Sequence, residues 1–369
     1  MRAKAFCALF LMLFALAALA FPACGSGSAA SSLNMPVRGV WMHPGFFGPD
    51  KTKALEKMRT TLDEFARAGI DTLIMLVKNT SGHVYYASEI GVPDGNWSWD
   101  FFGTFLEEAK KRKMTVHPWF CVFPESALLG QVRQHPEWLI ASPKREMVAA
   151  VNPAHPAARA YELSLMLEVV RKYGVDWVHL DYIRFPCEPT EPFFSFDPET
   201  LRLFKADTGV DMAAVKARDT GNMAWNAWLR WNTDRVTVFV RELRAALKGT
   251  GRKIKISAAV FPDAVNARVM IGQDWAAWGR EGLVDMLNPM LYTNDARHFE
   301  KLVGEAVAIG KGRTLVCPGI GIGTSHNQNT PEGMLEQMRI SKALKADGVV
   351  YFSSSSLGQP FLDALKTLK

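Results

Sequence analysis

The sequence predicts a single (β/α)₈ barrel, an α/β fold of the TIM-barrel type. Three observations carry that prediction. Eight short runs are each trailed by a helical pattern, and alternating β and α segments in that number close a parallel barrel. The second run, 70–77, is nearly continuous in apolar residues, as expected of a parallel strand covered on both faces. A doubly wound open sheet is the alternative, but the first run is followed by Gly45-Phe46-Phe47-Gly48-Pro49 instead of a glycine-rich nucleotide loop.

The strands are expected at 38–42, 70–77, 115–121, 175–182, 254–261, 284–292, 314–318 and 348–353. After the first, Leu55, Met58, Leu62 and Phe65 recur at helical spacing and Gly69 ends the helix. Residues 101–113 form a helix with a basic C-terminal end, which suits the helix dipole. Residues 157–173 form another helix. Between strands four and five, residues 186 to 250 make a long helical crossover in which Trp225, Trp228 and Trp231 read as core residues. A helix over 360–368 closes the chain.

The N-terminus has its own logic. Arg2 and Lys4 precede an apolar run from Ala5 to Ala20, then Phe21, Pro22, Ala23 and Cys24. A basic segment, a run too short for a membrane span and small residues near its end describe a signal peptide over 1–23. Ala23-Cys24, followed by a Gly/Ser-rich stretch to residue 35, resembles a bacterial lipoprotein cleavage site and tether. The expectation is an exported protein lipidated at Cys24, anchored at the membrane and facing the periplasm from the outer membrane, with the barrel over 36–369. Ordinary signal-peptidase cleavage after Ala20 is the alternative.

The formal net charge of +6 falls to +4 once Arg2 and Lys4 are removed, and the charges are interspersed. The longest basic run is 110–113, so nucleic-acid binding has no support and a monomer is expected. Of five cysteines, Cys121, Cys187 and Cys317 remain after the leader and the lipid site. Cys121 and Cys187 lie near neighbouring strand ends, so one bridge or three buried thiols are the two readings.

Active sites of such barrels lie at the C-terminal ends of the strands. Period-two alternation turns Val178 and Leu180 outward and Trp177, His179 and Asp181 inward, with Arg184 just beyond. His117 and Trp119 face inward on the third strand, Asn288 and Tyr292 on the sixth, and Asn79 sits at the top of the second. Unpaired, so many strand-end polar groups would cost several kcal/mol. They are therefore a satisfied network or a binding site. No serine or cysteine stands in a nucleophile elbow and no histidine pair has zinc spacing, so neither a metal nor a cofactor is expected.

Carboxylates, imidazoles, aromatics and one arginine match glycoside hydrolysis, which needs a nucleophile or base, an acid, and rings that stack on sugars. Asp181 is the first catalytic candidate, with a structural ion pair to Arg184 as the alternative. For the acid, Asp274 and Asp263 rank level and Glu125 below them, although Asp274 could equally be a helix N-cap. Trp41, Trp119, Trp275 and Tyr292 are candidate sugar platforms; Asn79, His117, His179, Arg184 and Asn288 would orient hydroxyls.

Several motifs resemble those of the glycosyl-hydrolase-like family 10 barrels: Arg38-Gly39-Val40-Trp41, Asn152-Pro153-Ala154-His155-Pro156, His179-Leu180-Asp181-Tyr182-Ile183-Arg184-Phe185-Pro186, Gln273-Asp274-Trp275 and Asn288-Pro289-Met290-Leu291-Tyr292. The likeness runs from about Pro36 to the C-terminus. It implies a (β/α)₈ fold, cleavage of O-glycosidic bonds and a catalytic role for Asp181. Some members look like envelope lipoproteins that cut peptide-stripped peptidoglycan glycan, so that polysaccharide is the expected partner. A non-catalytic carbohydrate-binding barrel, a scaffolding lipoprotein and a metal-dependent deacetylase are the rival readings.

Overall fold

A computed structural model describes residues 33–186, 195–212, 215, 219 and 221–368. The leader, the tether, Cys24 and Cys187 lie outside the described residues. The eight apolar runs are strands: β1 Val37–Met42, β2 Thr72–Lys78, β3 Thr115–Cys121, β4 Trp177–Asp181, β5 Lys255–Val260, β6 Met286–Pro289, β7 in two pieces (Leu315–Val316 and Gly319–Gly321), and β8 Gly348–Phe352. They pair in parallel in the order β6-β5-β4-β3-β2-β1-β8, and β7 joins the two ends.

That join differs from the expected strand over 314–318. Pro318 has no N–H to give to a ladder. The chain pairs with β6 before it and with β8 after it. Cys317 N donates to Leu287 O at 2.9 Å, and Pro318 O accepts from Val350 N at 2.9 Å. Each edge is thus satisfied and the barrel closes.

Eight helices follow the strands: α1 Lys51–Arg67, α2 Phe101–Lys111, α3 Pro156–Tyr173, α4 Met223–Gly249, α5 Trp275–Glu281, α6 Ala296–Gly310, α7 Pro331–Ala343 and α8 Gln359–Lys366. Outward strand residues such as Val178, Leu180, Ile256 and Leu287 pack against them in one core. Trp225, Trp228 and Trp231 of α4 are buried in that core as expected, the last two stacked with centroids 6.2 Å apart. Buried Asn152 ties the crossover down, donating to Asp197 Oδ2 (2.8 Å) and Thr200 Oγ1 (2.7 Å) while accepting from Ala154 N. Its family-like motif thus holds the crossover in place.

The inward face corrects part of the expected site. Trp41 Nε1 donates to His179 Nε2 at 3.1 Å, and both His179 Nδ1 (2.8 Å) and His117 Nδ1 (2.9 Å) meet Ser257 Oγ. An indole N–H only donates, so His179 carries its proton on Nδ1 and gives it to Ser257. The His117 ring lies flat on Trp177, 4.1 Å between centroids and 13° between planes. All four groups are buried. Trp41, His117 and His179 therefore form a largely satisfied interior chain and are not among the residues that line the cleft at the mouth. Asn288 joins them: it is fully buried and donates to Cys317 O at 3.1 Å. Trp275, expected as a platform, is buried in the outer core.

A second buried polar group stands behind β2 and β3. A register shift between Leu76 and Lys78 breaks the alternation at the strand end. The fully buried Lys78 ammonium there donates to Cys121 O (3.1 Å) and Val122 O (2.9 Å) and pairs with Glu125 (2.7 Å) and Glu162 (3.1 Å). Burial, with Glu125 adding to it against the pull of Lys78, pushes the Glu162 carboxyl up to about 8. Glu125 is thus a structural ion-pair partner and not a candidate acid.

Two outcomes are expected. Lys78→Met leaves the buried Glu125 and Glu162 side chains without their cation and should cost about 3–5 kcal/mol in urea unfolding. For the interior imidazoles, burial pushes His117 down to about 3 and His179 well below the ordinary histidine value. A lowered folded-state pKa gives stability that is complete above the unfolded value of about 6.5 and is lost as pH falls below it. The urea midpoint should therefore fall from pH 7 to pH 4.5, and less steeply in His117→Phe.

Candidate active site

The mouth at the C-terminal ends of the strands opens into a cleft of about 830 Å³. Its centre is Asp181, the last residue of β4, buried to 5 % exposure. Tyr182 follows with φ +50, a left-handed backbone that non-glycine residues rarely adopt. The turn brings the Tyr182 amide to 2.6 Å from Asp181 Oδ1 and folds Arg184 back, so that Nη1 reaches the same oxygen at 3.1 Å. Both donors use Oδ1, which leaves Oδ2 to address a ligand. The Arg184 guanidinium lies between the rings of Tyr182 (4.3 Å) and Phe261 (4.8 Å). The ion pair expected as an alternative role for Asp181 is present, and it orients a carboxylate that also lines the cleft.

Around Asp181 the other strands supply the walls. Trp119 from β3 lines the cleft and is 3 % exposed, and its buried indole N–H has no acceptor among the described residues. A buried donor without an acceptor costs about 1–3 kcal/mol, a cost that a ligand oxygen would remove. His43, just past β1, meets Trp119 edge-on at 4.8 Å. Burial lowers its pKa, partly opposed by the Asp181 charge, so the imidazole is neutral near pH 7. Tyr292 stacks on Phe352 at the end of β8 (5.3 Å, 29°). Burial and the Asp181 charge push its phenol upward, which keeps its proton in place as a donor. Asn79 completes the β2 side, its Nδ2 donating to Tyr85 Oη at 2.9 Å while its Oδ1 holds the 81–83 turn. Thr324, Ser325, His326 and His298 form the opposite rim.

Asp181, Trp119, Asn79, Arg184 and Tyr292 are thus brought together as the sequence indicated. The two candidates for the acid are not. Asp274 caps α5, accepting from Ala277 N, and lines a separate surface depression among the outer helices. Asp263 caps the helix Ala264–Ile271, accepting from Asn266 N, and is not among the lining residues. The buried Gln273 of the same motif braces the site from behind: its Oε1 accepts from Phe261 N at 2.8 Å and its Nε2 reaches Ile183 O. Asp181 is the only carboxylate among the described residues that line the cleft.

His43, Tyr85, His298, His326 and Phe352 were not singled out from sequence. His298 stands in the first turn of α6 and the others on loops or at strand ends, where no periodicity marks direction; only the proximity of His43 to the first strand end could have signalled it. Cys121 and Cys317 are free, buried thiols. No group of three or more His, Cys, Asp or Glu among the described residues is placed to hold a metal ion.

The fold has many solved counterparts. The glycoside hydrolase domain of PgaB (BpsB) from Bordetella bronchiseptica superposes with a TM-score of 0.71 at 16 % identity, covering 90 % of this chain and 98 % of that one. A catalytic mutant of Gan42B, a GH42 β-galactosidase from G. stearothermophilus, gives 0.66 at 12 % identity over 90 % of this chain and 56 % of that one. In sequence, glycosyl hydrolase YngK of Bacillus subtilis (strain 168) is 22 % identical over 262 residues, 63 % of this chain and 48 % of that protein. Glycosyl hydrolase DigH of Escherichia coli (strain K12) is 26 % identical over 201 residues, 43 % of this chain and 45 % of that protein. The chain spans about half the length of these curated relatives. The model of the family Glycosyl hydrolase-like 10 matches residues 36–326, and the chain belongs to that family.

Proposed function

We propose that this chain is a glycoside hydrolase whose substrate is a cell-envelope polysaccharide, namely peptidoglycan glycan strands stripped of their peptides. The observation that carries the reading is Asp181: a strand-end carboxylate with one oxygen clamped and the other available, in a cleft walled by aromatic rings. Rings of this kind cover the apolar faces of sugars, and the few polar groups among them fix orientation. Asp181 acts as nucleophile or base at the anomeric carbon, while Tyr292 and the Trp119 N–H donate to sugar oxygens. Arg184 holds the carboxylate in place. Family membership and the neighbouring hydrolase domain support the polysaccharide class. The lipoprotein-like leader and Cys24 support a membrane-anchored protein in the periplasm, close to such a substrate.

A second reading is favoured by one specific observation. Glycoside hydrolysis ordinarily uses two carboxyl groups, and the described lining holds one. A barrel that binds glycan without cutting it fits the same cleft.

One assay separates the two. Peptide-stripped glycan strands and intact peptidoglycan are incubated with the chain and with Asp181→Asn, and new reducing ends are counted. Hydrolysis predicts reducing ends from the stripped strands, with a loss of at least about 10²-fold in the variant, the scale of a positioned acid–base or nucleophilic group. Binding by both proteins with no reducing ends establishes the binding barrel instead.

A further inference from the structure

Beyond the cleft, aromatic rings continue from Tyr85 as a contiguous cluster. The long loop between β2 and α2 is held rigidly. Tyr85 N donates to Val77 O and Phe102 N to Tyr85 O, and the short pieces His83–Val84 and Val92–Pro93 pair with each other. Three half-buried rings sit on this frame. Tyr85 lines the cleft; Trp97 meets it edge-on with centroids 6.0 Å apart; Trp99 follows 5.6 Å beyond Trp97. Phe101 packs under Trp97 at 4.7 Å, and the Trp99 N–H is anchored on Pro49 O at 2.8 Å. The indoles are therefore fixed in place while part of each stays in water.

We infer that Trp97 and Trp99 are outlying sugar subsites, continuous with the cleft through Tyr85, which hold the unreacted length of the glycan chain whose bond lies at Asp181. The inference rests on the proposed polysaccharide reading for its ligand. Three arguments carry it. The rings touch edge-on, with planes at 90° and 62°, and together offer one rigid apolar patch to a sugar chain. Tryptophan presents a large apolar face at low cost in side-chain entropy, because only two torsions must be fixed. Tyr85 lines the cleft, Trp97 touches Tyr85 and Trp99 touches Trp97, so a chain leaving the mouth over Tyr85 can reach them. Such a path would make the enzyme prefer long chains, since contacts far from the reacting bond strengthen binding only when the chain reaches them.

The test measures binding and hydrolysis separately. Peptide-stripped peptidoglycan strands are sorted by length, and their affinity is measured for Asp181→Asn alone and with Trp97→Ala and Trp99→Ala added. The long-to-short affinity ratio is expected to fall about tenfold in the combined variant. Trp97→Phe, which keeps a ring at the site, should retain most of it. Because Trp97 packs on Phe101, Trp99→Ala is also run alone and should lower the ratio in the same sense by a smaller factor. Equal losses on long and short strands, no loss on long strands, or no binding of long strands by Asp181→Asn itself would each overturn the inference. Hydrolysis by the unaltered chain is scored separately, so failure of the enzymatic reading is distinguishable from failure of the subsites.

Discussion

The Lys78 ammonium is the interaction on which the cleft depends. It is fully buried, its three donors go to the two carbonyls at the end of β3 and to Glu162 Oε1, and Glu125 adds an ion pair at 2.7 Å. Val122, one of those two residues, in turn donates its N–H to Asp181 O at 2.9 Å. The position of the central carboxylate is thus tied through β3 to an ion cluster behind the sheet. Glu125, on the far side of that cluster, lies directly under the 79–83 turn. A side chain at Gly82, where φ is +93, would have its Cβ only 1.9 Å from Glu125 Oε2. The turn that presents Asn79 to the cleft therefore needs both the left-handed backbone of glycine and its lack of a side chain.

Polar residues inside the barrel separate into two layers with different duties. The lower one, Trp41, His179, Ser257 and His117, shares all but one of its hydrogen-bonding atoms internally, with His117 Nε2 left over, and is buried. The upper one, Asp181, Trp119 and Tyr292, keeps atoms unspent. On β4 a single inward-facing row passes from Trp177 through His179 to Asp181, from packing to satisfied polar contact to ligand-facing carboxylate. The change occurs over one strand.

Strand positions and facing were legible because apolar runs and period-two alternation are local consequences of a covered parallel sheet. The break in β7 was not, because a proline at a strand end and a proline inside a closing strand look alike until the pairing partners are known. Depth was also invisible. His117 and His179 alternate correctly, yet whether an inward residue meets substrate or another side chain depends on Ser257, far away in sequence. Asp263 and Asp274 misled for a related reason: an aspartate just past a strand and just before a helix fits a catalytic role and an N-cap equally well. Glu125 looked free only because nothing local announces that the β2 bulge turns Lys78 toward it. The family-like motifs were real signals, but Gln273 and Asn152 show that some of them encode bracing and not chemistry.

The division of labour within Asp181 bears on how any variant of it is read. One oxygen is a mechanical fastening for the Tyr182 turn and Arg184, and the other, in the proposed reaction, is the reagent. Truncation to alanine removes both at once and strands a buried guanidinium, so a dead alanine variant reports on architecture as much as on reactivity. An asparagine can keep its carbonyl toward the two fastening donors while offering an amide where the anion stood. Only that exchange changes the reagent and leaves the fastening in place.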